Sequence, residues 1–328
     1  KGVLDAEGYA QMIATTTRLN TVGPALAKLP GVHALTDVTG FGLAGHGLEI
    51  ARGAGCTVRI HWAQVPLLGG VRDRIPAYGS TMCGDEIPGG LSTPDEYAEF
   101  ATALVAKGYR AIKLHTWMPP VEFAPDPRMD IKACAAVRAA VGPEIDLMLD
   151  GYHNYSRMDA LKIGRALEEL NFAWYEEMMN EQSIASYAWL ANQLRIPILG
   201  PETASGKHHT RADWVAAGAC DILRAGVTGT GGIGPTMKVA NLAESFGMEC
   251  EVHGNGAANL AVCGAIRNSR WYERGLLHPH LDYDEVPAYL NRLIDPMDDE
   301  GFVHLPQGPG LGEDINWDYI RAHTTATF

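Results

Sequence analysis

Short apolar segments alternate with amphipathic segments along most of the chain after residue 75. The short segments, rich in apolar, β-branched and aromatic residues, are 111–115, 145–150, 172–177, 197–202, 220–225 and 248–253. Between them, apolar residues recur at helical spacing, as in 157–170 and 183–194. Strands that alternate with amphipathic helices predict parallel βαβ units. At least six units at a spacing of roughly 25 to 30 residues favour an α/β fold of the closed (β/α) TIM-barrel type.

The first 66 residues follow a different pattern. We expect two helical stretches that end near Ala27, a strand over 32–40, a helix over 42–55 and a second strand over 56–65. None of these segments continues the later spacing. The sequence therefore predicts two parts, a small α+β fragment at 1–66 and a barrel at 67–328.

The composition narrows the choice of partners and compartment. The chain has 328 residues, of which 46% are hydrophobic, and a formal net charge of −13. This charge argues against nucleic acid or an anionic membrane as a partner, because both require basic surfaces. The six cysteines form no C-x-x-C pair, and no apolar run is long enough to cross a bilayer. We expect a cytoplasmic protein with a small-molecule substrate, and the sequence leaves homo-oligomer formation open.

Three predicted barrel strands end in an acidic residue. Asp150, Glu176 and Glu202 follow one another at steps of 26 residues. One βα unit per step places their carboxylates at the carboxyl ends of consecutive strands, where barrel active sites form. Converging carboxylates repel each other unless a cation lies between them, and hard oxygen ligands suit Mg²⁺. The alternative, that strand ends become polar where they meet water, explains one acid better than three at equal steps. Glu177 directly follows Glu176, so strand alternation should point it elsewhere.

Other predicted strand ends carry groups that can transfer protons. Lys113 and His115 lie two residues apart, hence on one side of a strand, and His253 ends another strand. A lysine or histidine near a metal-bound carboxylate can remove the proton α to it, and the metal stabilises the resulting enediolate. The alternative for a lone histidine is a surface or packing role.

From about Leu67 to its C-terminus, the chain resembles the enolase superfamily, in its mandelate-racemase-like subgroup and especially its sugar-acid dehydratases. The similarity is carried, in this order, by LLGGVRDRIPAYGS, IKLH, LMLDGYHNYSR, WYEE, GPE, GVTGTGGIGPTMKVANLAESFGM, EVHG and WYERGLLHP. The resemblance implies a barrel that binds Mg²⁺ and dehydrates a sugar acid, an aldonate or an aldarate, through a metal-stabilised enediolate. Racemisation or epimerisation is less favoured.

The resemblance also implies roles for individual positions. Asp150, Glu176 and Glu202 match the three metal ligands of the family. Lys113 matches the first lysine of its K-x-K motif, and His253 matches its seventh-strand histidine. We therefore expect the first three residues to bind the metal and the last two to transfer protons.

Three further positions sharpen or weaken this assignment. Glu273 matches an eighth-strand acid that can hydrogen-bond the substrate carboxylate in the intermediate; the alternative is a solvated turn acid paired with Arg274. His115 stands where the K-x-K motif has its second lysine. Gly226 stands where the family histidine has its sixth-strand aspartate partner, so His253 should lack that orienting carboxylate. These departures favour dehydration over racemisation.

The sequence in front of the barrel resembles another family. LNTVGPALAKLPGVHALTDVTGFGLAGHGLEIARGAG, at 19–55, is similar to selenophosphate synthetase, or selenide, water dikinase. The resemblance implies that Asp37 matches an acid that contributes to binding Mg²⁺ with ATP; the alternative is a capping or turn acid. Only the opening of that family's C-terminal domain is recognisable, and the two resemblances meet in VPLLGGVRDR, at 65–74. The enolase superfamily's usual N-terminal cap is not recognisable here.

The leading hypothesis is a Mg²⁺-dependent hydro-lyase. The alternatives are an ATP-dependent phosphotransferase like selenophosphate synthetase and a barrel that binds a metal or ligand without turnover. Dehydration requires a base for the α proton and an acid for the departing β-hydroxyl. Tyr152 and His153, just after Asp150, are lesser candidates for that acid.

Overall fold

A computed structural model describes residues 25, 28–30, 42–59, 72–307 and 310–326. The chain divides into two compact units, Lys1–Val71 with Gly308–Gly310, and Arg72–Gln307 with Leu311–Phe328. The strand predicted over 32–40, with Asp37, and the predicted boundary between 66 and 67 lie outside the described residues. The boundary therefore stays a prediction. No helix in the described ranges is long and apolar enough to cross a membrane.

The described part of the first unit contains one long helix. Helix α1 spans Gly42–Ala54, which confirms the helix predicted there. Gly55 then adopts a positive φ of 61°, a conformation that ends helices and that glycine tolerates. The strand predicted over 56–65 is wrong for residues 56–59, which are exposed and form no strand. A strand needs a hydrogen-bonded neighbour, and these four residues have none in the part of the chain described.

The second unit contains eight parallel strands, and a helix follows each of the first seven. The strands are β1 (Arg74–Thr81), β2 (Ala111–His115), β3 (Asp146–Asp150), β4 (Trp174–Glu176), β5 (Ile198–Leu199), β6 (Ile222–Ala225), β7 (Glu249–Val252) and β8 (Tyr272–Leu277). The helices are α2 (Pro94–Ala106), α3 (Pro127–Val141), α4 (Arg157–Glu169), α5 (Ile184–Ala191), α6 (Lys207–Ala217), α7 (Val227–Thr230), α8 (Ile233–Ser245) and α9 (Ala257–Ala265). A short strand, β9 (Phe302–His304), and helix α10 (Trp317–His323) follow.

The strands lie in the order β7-β6-β5-β4-β3-β2-β1-β8, and β9 pairs antiparallel with the start of β1. This order confirms the predicted barrel-type α/β fold. Within residues 72–307, no backbone ladder joins β7 to β8. At this seam the buried Glu251 of β7 accepts hydrogen bonds from the backbone N–H groups of Arg270, at 2.7 Å, and Trp271, at 3.3 Å. This side-chain carboxylate and a backbone hydrogen bond of 2.6 Å from the Cys250 N–H to the Asn268 carbonyl oxygen thus bridge the gap where a ladder would close the barrel.

Helices α2 to α4 begin at side chains that cap them. Thr93 and Glu96 form a capping box at the start of α2, in which each side chain accepts a hydrogen bond from the other's backbone N–H. Asp126 caps α3 and Ser156 caps α4 with their side-chain oxygens. These residues satisfy N–H groups that the helix itself leaves free, and they end the loops at the barrel mouth.

Strand alternation sorts the barrel interior into two layers. The apolar layer consists of Tyr78, Ala111, Met148, Trp174, Leu199 and Ile222, with Trp271 packed against it. The charged layer lies two residues further along four of these strands, with Lys113, Asp150, Glu176 and Arg224, and includes Glu273 of β8, two residues after Trp271. Side chains two residues apart on a strand point to the same side. The apolar layer is therefore the floor beneath a charged mouth at the carboxyl ends of the strands.

Candidate active site

The three predicted metal ligands lie at the same end of the barrel. Asp150 and Glu176 are direct partners across β3 and β4, and Glu202 follows β5, the next strand of the sheet. Asp150 and Glu176 are buried, while the Glu202 side chain is 14% exposed. Two cationic side chains link the three carboxylates to each other.

Lys113 of β2 is the first of these cations. Its Nζ lies 2.6 Å from Glu176 Oε1, 3.0 Å from Glu273 Oε1 and 3.4 Å from Asp150 Oδ2. Burial lowers the pKa of Lys113, but Glu176 and Glu273 outweigh burial and hold this pKa well above its usual value. Lys113 is therefore an ammonium ion here, and it must lose a proton before it can act as a base.

Arg224 of β6 is the second cation, and the sequence analysis missed it. Its Nε lies 3.2 Å from Glu202 Oε2 and 3.5 Å from Glu176 Oε2, and its Nη2 lies 2.9 Å from Glu273 Oε2. The sequence did hold a signal for it. Arg224 stands two residues after Ile222 of the apolar layer, the same offset that separates Lys113, Asp150 and Glu176 from their own apolar neighbours.

Glu273 of β8 lies inside this network. Its side chain is 5% exposed, and its Oε2 accepts a hydrogen bond of 2.7 Å from the backbone N–H of Gly254. The alternative of a solvated acid paired with Arg274 is wrong, because Arg274 pairs with Asp284 instead. Burial raises the pKa of Glu273, but Lys113 and Arg224 outweigh it and hold this pKa well below its usual value. An ionised carboxylate only accepts hydrogen bonds, so in this state Glu273 holds the two cations.

The histidines flank the network on two sides. His115 Nε2 lies 3.0 Å from Asp150 Oδ2, and its Nδ1 lies 2.7 Å from the carbonyl oxygen of Thr81. Both partners are acceptors, so His115 donates from both ring nitrogens and is protonated. Burial lowers its pKa, but Asp150 outweighs burial and raises the pKa above its usual value. On the other side, His253 Nε2 lies 2.9 Å from Glu202 Oε1.

Gly226 lies directly against His253. A Cβ built on this glycine would be 3.4 Å from His253 Nδ1 and 2.9 Å from its carbonyl oxygen. The position therefore offers His253 no side-chain partner, and any side chain there would crowd the histidine. Glu202 orients the ring instead.

A second histidine–carboxylate pair lies at the mouth, beside the charged layer. His153 Nε2 lies 2.8 Å from Glu177 Oε1, and its Nδ1 lies 3.0 Å from the Met179 carbonyl oxygen. The Glu177 carboxylate therefore pairs with His153, not with Lys113 or Arg224. Tyr152, His153 and Glu177 have positive φ angles of 46°, 63° and 49°. Such backbone conformations are strained in residues other than glycine and cluster at functional sites.

The acids fit a divalent cation in chemistry and charge. Four buried or nearly buried carboxylates, including that of Glu273, face two permanent cations, which leaves an excess of negative charge apart from the histidines. Neither oxygen of Glu176 has a well-directed hydrogen-bond donor among the described residues. However, no three His, Cys, Asp or Glu side chains of the described ranges are grouped so that they could hold a metal. The expected convergence is therefore not preformed, because Lys113 and Arg224 lie between the acids.

Two family models match the chain. The model described as enolase C-terminal domain-like matches residues 96–319, and the model for the C-terminal domain of AIR synthase related proteins matches residues 5–108. The selenide, water dikinase of Burkholderia orbicola is 69% identical over 71 residues, which are 22% of this chain and 20% of that protein. Both resemblances seen in the sequence are therefore confirmed.

Relatives that match the barrel include a sugar-acid dehydratase and a cycloisomerase. The crystal structure of D-glucarate dehydratase from Agrobacterium tumefaciens, complexed with magnesium, has a TM-score of 0.75 and 62% identity, and the match covers 76% of this chain and 65% of that one. The D-galactarolactone cycloisomerase of Agrobacterium fabrum is 31% identical over 225 residues, which are 66% of this chain and 57% of that protein. The chain thus spans less than two thirds of either relative.

Proposed function

We propose, from the premise that this chain belongs to the enolase C-terminal domain-like family, that its barrel is a Mg²⁺-dependent hydro-lyase for a sugar acid. The observation that carries the proposal is the network of acids and cations at the carboxyl ends of the strands, which has the charge and donor chemistry for a divalent ion and an anionic substrate. D-glucarate is the first substrate to test, because the similar D-glucarate dehydratase is 62% identical.

Three acids are proposed to hold the metal, namely Asp150, Glu176 and Glu202. When bound, Mg²⁺ supplies positive charge beside the substrate carboxylate, which lowers the free energy of the enediolate. The protein must then rearrange its own contacts, since Lys113 and Arg224 occupy the space between the acids in this structure.

The proton transfers are assigned to side chains that surround the acids. Lys113 or His253, in its unprotonated form, takes the proton α to the substrate carboxylate, and the electrons of that C–H bond form the enediolate. These electrons then form a C=C bond as the β C–O bond breaks. His115, protonated in this structure, or His153 gives a proton to the departing hydroxyl, which leaves as water. The resulting enol rearranges to a 2-keto-3-deoxy acid. Glu273 keeps its ion pairs with Lys113 and Arg224 while these cations give up their contacts with the proposed metal ligands.

Turnover is the direct test. The purified chain is incubated with Mg²⁺ and D-glucarate, and in parallel with a panel of other aldarates and aldonates. Mass spectrometry then follows the loss of one water, and a carbonyl reagent detects the 2-keto-3-deoxy product. We expect product from D-glucarate or a stereoisomer of it. A folded chain that binds Mg²⁺ and dehydrates no member of the panel would contradict the proposal.

Hydrogen exchange in D₂O separates catalysis from mere binding. A barrel that binds substrate and metal without turnover leaves the substrate's α proton in place. A catalytic barrel with a slow second step replaces this proton by deuterium even before product accumulates. Glu202→Gln is the matched control, because this change removes one proposed ligand charge while it preserves the shape of the side chain.

The region before the barrel is proposed to be a separate fragment, residues 1–66, joined to a barrel at 67–328. Along the sequence, the division between the two compact units falls between residues 71 and 72, within a few residues of this boundary, which supports the proposal. A selenophosphate synthetase activity is not assigned, because the match spans 20% of the selenide, water dikinase and phosphoryl transfer needs metal and phosphate ligands from several segments.

A further inference from the structure

The turn that carries Glu202 is only weakly fixed by the sheet. Strand β5 has two residues, Ile198 and Leu199, and Glu202 lies three residues beyond its end. The backbone hydrogen bonds to the neighbouring strands reach only as far as Gly200, whose N–H donates to the Ile222 carbonyl oxygen at 3.0 Å. Other groups must therefore define where the Glu202 carboxylate lies.

The carboxylate of Glu181, in the loop after β4, accepts hydrogen bonds from the backbone N–H groups of the turn. Its Oε1 accepts a hydrogen bond of 2.7 Å from the backbone N–H of Glu202. Its Oε2 accepts from the backbone N–H groups of Thr203, at 2.6 Å, and Ala204, at 2.9 Å, and from the Thr203 hydroxyl at 2.8 Å. One carboxylate thus takes three consecutive backbone donors.

The guanidinium of Arg211, on helix α6, donates hydrogen bonds to the backbone carbonyl groups of the same turn. Its Nη2 donates to the carbonyl oxygens of Pro201, at 3.0 Å, and Glu202, at 2.7 Å. Its Nη1 donates to the carbonyl oxygen of Ala204 at 2.6 Å. The planar guanidinium presents its N–H groups in a rigid fork, so one side chain fixes three carbonyl groups at once.

We propose that Glu181 and Arg211 form a clamp of positioning residues that fixes the turn and thereby the carboxylate of Glu202. The clamp rests on the proposed metal-binding role of Glu202. Both residues are buried, with exposures of 2% and 1%, and their hydrogen bonds to the turn all reach its backbone or Thr203. Residues that orient a metal ligand from outside typically change metal affinity about 10- to 100-fold when they are replaced.

Glu168 provides a matched control at the other end of the same strand. Its Oε1 accepts hydrogen bonds from the backbone N–H groups of Arg195 and Ile196, just before β5. Glu168→Gln therefore makes the same chemical change to a carboxylate that accepts backbone N–H groups just before the same strand, at the end away from the mouth. The free energy of unfolding is measured for both variants, and Glu168→Gln should have no effect on the metal.

The experiment measures Mn²⁺ affinity by titration calorimetry or electron paramagnetic resonance in the full chain. We expect Glu181→Gln and Arg211→Lys to raise the Mn²⁺ Kd at least about 10-fold, and Glu168→Gln to leave it within about twofold. Arg211→Lys keeps the charge and tests the same claim should Glu181→Gln fail to fold. Equal Kd values in the clamp variants and the control would overturn the proposal.

Amide hydrogen exchange tests the clamp without any metal. In Glu181→Gln, the amides of residues 202–204 should exchange at least about 10-fold faster than in the unmodified chain, because local opening costs less. Unchanged exchange at these amides refutes the clamp whatever the metal does. A chain that binds no Mn²⁺ at all would instead refute the proposed function, so the two failures are distinguishable.

Discussion

The apolar layer and the charged layer occupy the same strands of the barrel, two residues apart. Met148 and Trp174 lie directly below Asp150 and Glu176, and all four side chains are buried. Removing apolar surface from water stabilises the fold, whereas burying charges costs free energy that ion pairs only partly offset. The apolar layer therefore stabilises the fold, whereas the charged layer lowers its stability and carries the groups proposed to bind the metal and the substrate. Substitutions in the two layers should accordingly affect different measurements.

The largest expected effect is on catalysis, from Glu176→Gln in the charged layer. The change removes a proposed metal ligand, so turnover of D-glucarate should fall at least about 10⁴-fold, which corresponds to about 5.5 kcal/mol. Thermal unfolding should shift little, since burial already raises the pKa of this carboxyl above its usual value. Glu169→Gln, at the end of α4, is the control and should change neither. Normal turnover in Glu176→Gln would show that Glu176 is not a metal ligand of the active site.

The next effect is on stability, from Trp174→Ala in the apolar layer. Removal of a buried tryptophan side chain should lower the free energy of unfolding by about 3 to 5 kcal/mol, because lost burial and a new cavity add together. Urea unfolding measures this change, and turnover per folded molecule is measured alongside. A variant that loses turnover while it keeps full stability would contradict the division between the layers.

Arg224→Met tests the cation that binds three of the acids. Removal of one partner from a buried ion-pair network leaves charges uncompensated, so the free energy of unfolding should fall by about 3 kcal/mol. The double variant Arg224→Met with Glu273→Gln should recover part of this loss, because it removes one of the stranded charges. Urea unfolding of the four proteins gives the coupling energy. Purely additive losses would show that the two side chains do not interact.

The smallest effect concerns Glu251, at the seam between β7 and β8. Burial raises the pKa of this carboxyl from 4.5 to about 7, so the folded state holds the proton more tightly than the unfolded state. The free energy of unfolding should therefore fall as pH rises from about 4.5 to about 7, by about 2.5 kcal/mol for this group, and level off above about pH 8. Glu251→Gln cannot titrate and should flatten this dependence. An identical slope in urea unfolding between pH 4.5 and 7 would exclude Glu251 as its source.

Much of this architecture could be predicted from the sequence, because the signals were local. Strand β2 was predicted at its observed bounds, and alternation placed Lys113 and His115 on one side of it. Arg224 was not predicted because it is not the last residue of its strand, which ends at Ala225, although its offset from Ile222 marked it. Glu181 could not be found this way. Glu181 acts through the backbone of a turn that is distant in sequence. No residue pattern shows from which backbone N–H groups a loop carboxylate accepts hydrogen bonds.

The failure of the three acids to converge on one point could not be predicted, for a different reason. Equal spacing fixes where strands end, but rotamers and counter-ions decide where carboxylates point. Here Lys113 forms ion pairs with Asp150 and Glu176, and Arg224 forms one with Glu202. The competition between side-chain cations and a metal ion is an energetic balance that spacing alone does not contain.

The pairing of β1 has a consequence for synthesis on the ribosome. One edge of β1 pairs with β2, but its other edge pairs with β8, which begins nearly two hundred residues later in the chain. At a synthesis rate of roughly 5 to 20 residues per second, this edge stays unpaired for on the order of 10 to 40 seconds until its partner strand is made. Throughout that interval the nascent chain presents an unpaired strand edge, the feature that chaperones shield and that aggregation exploits.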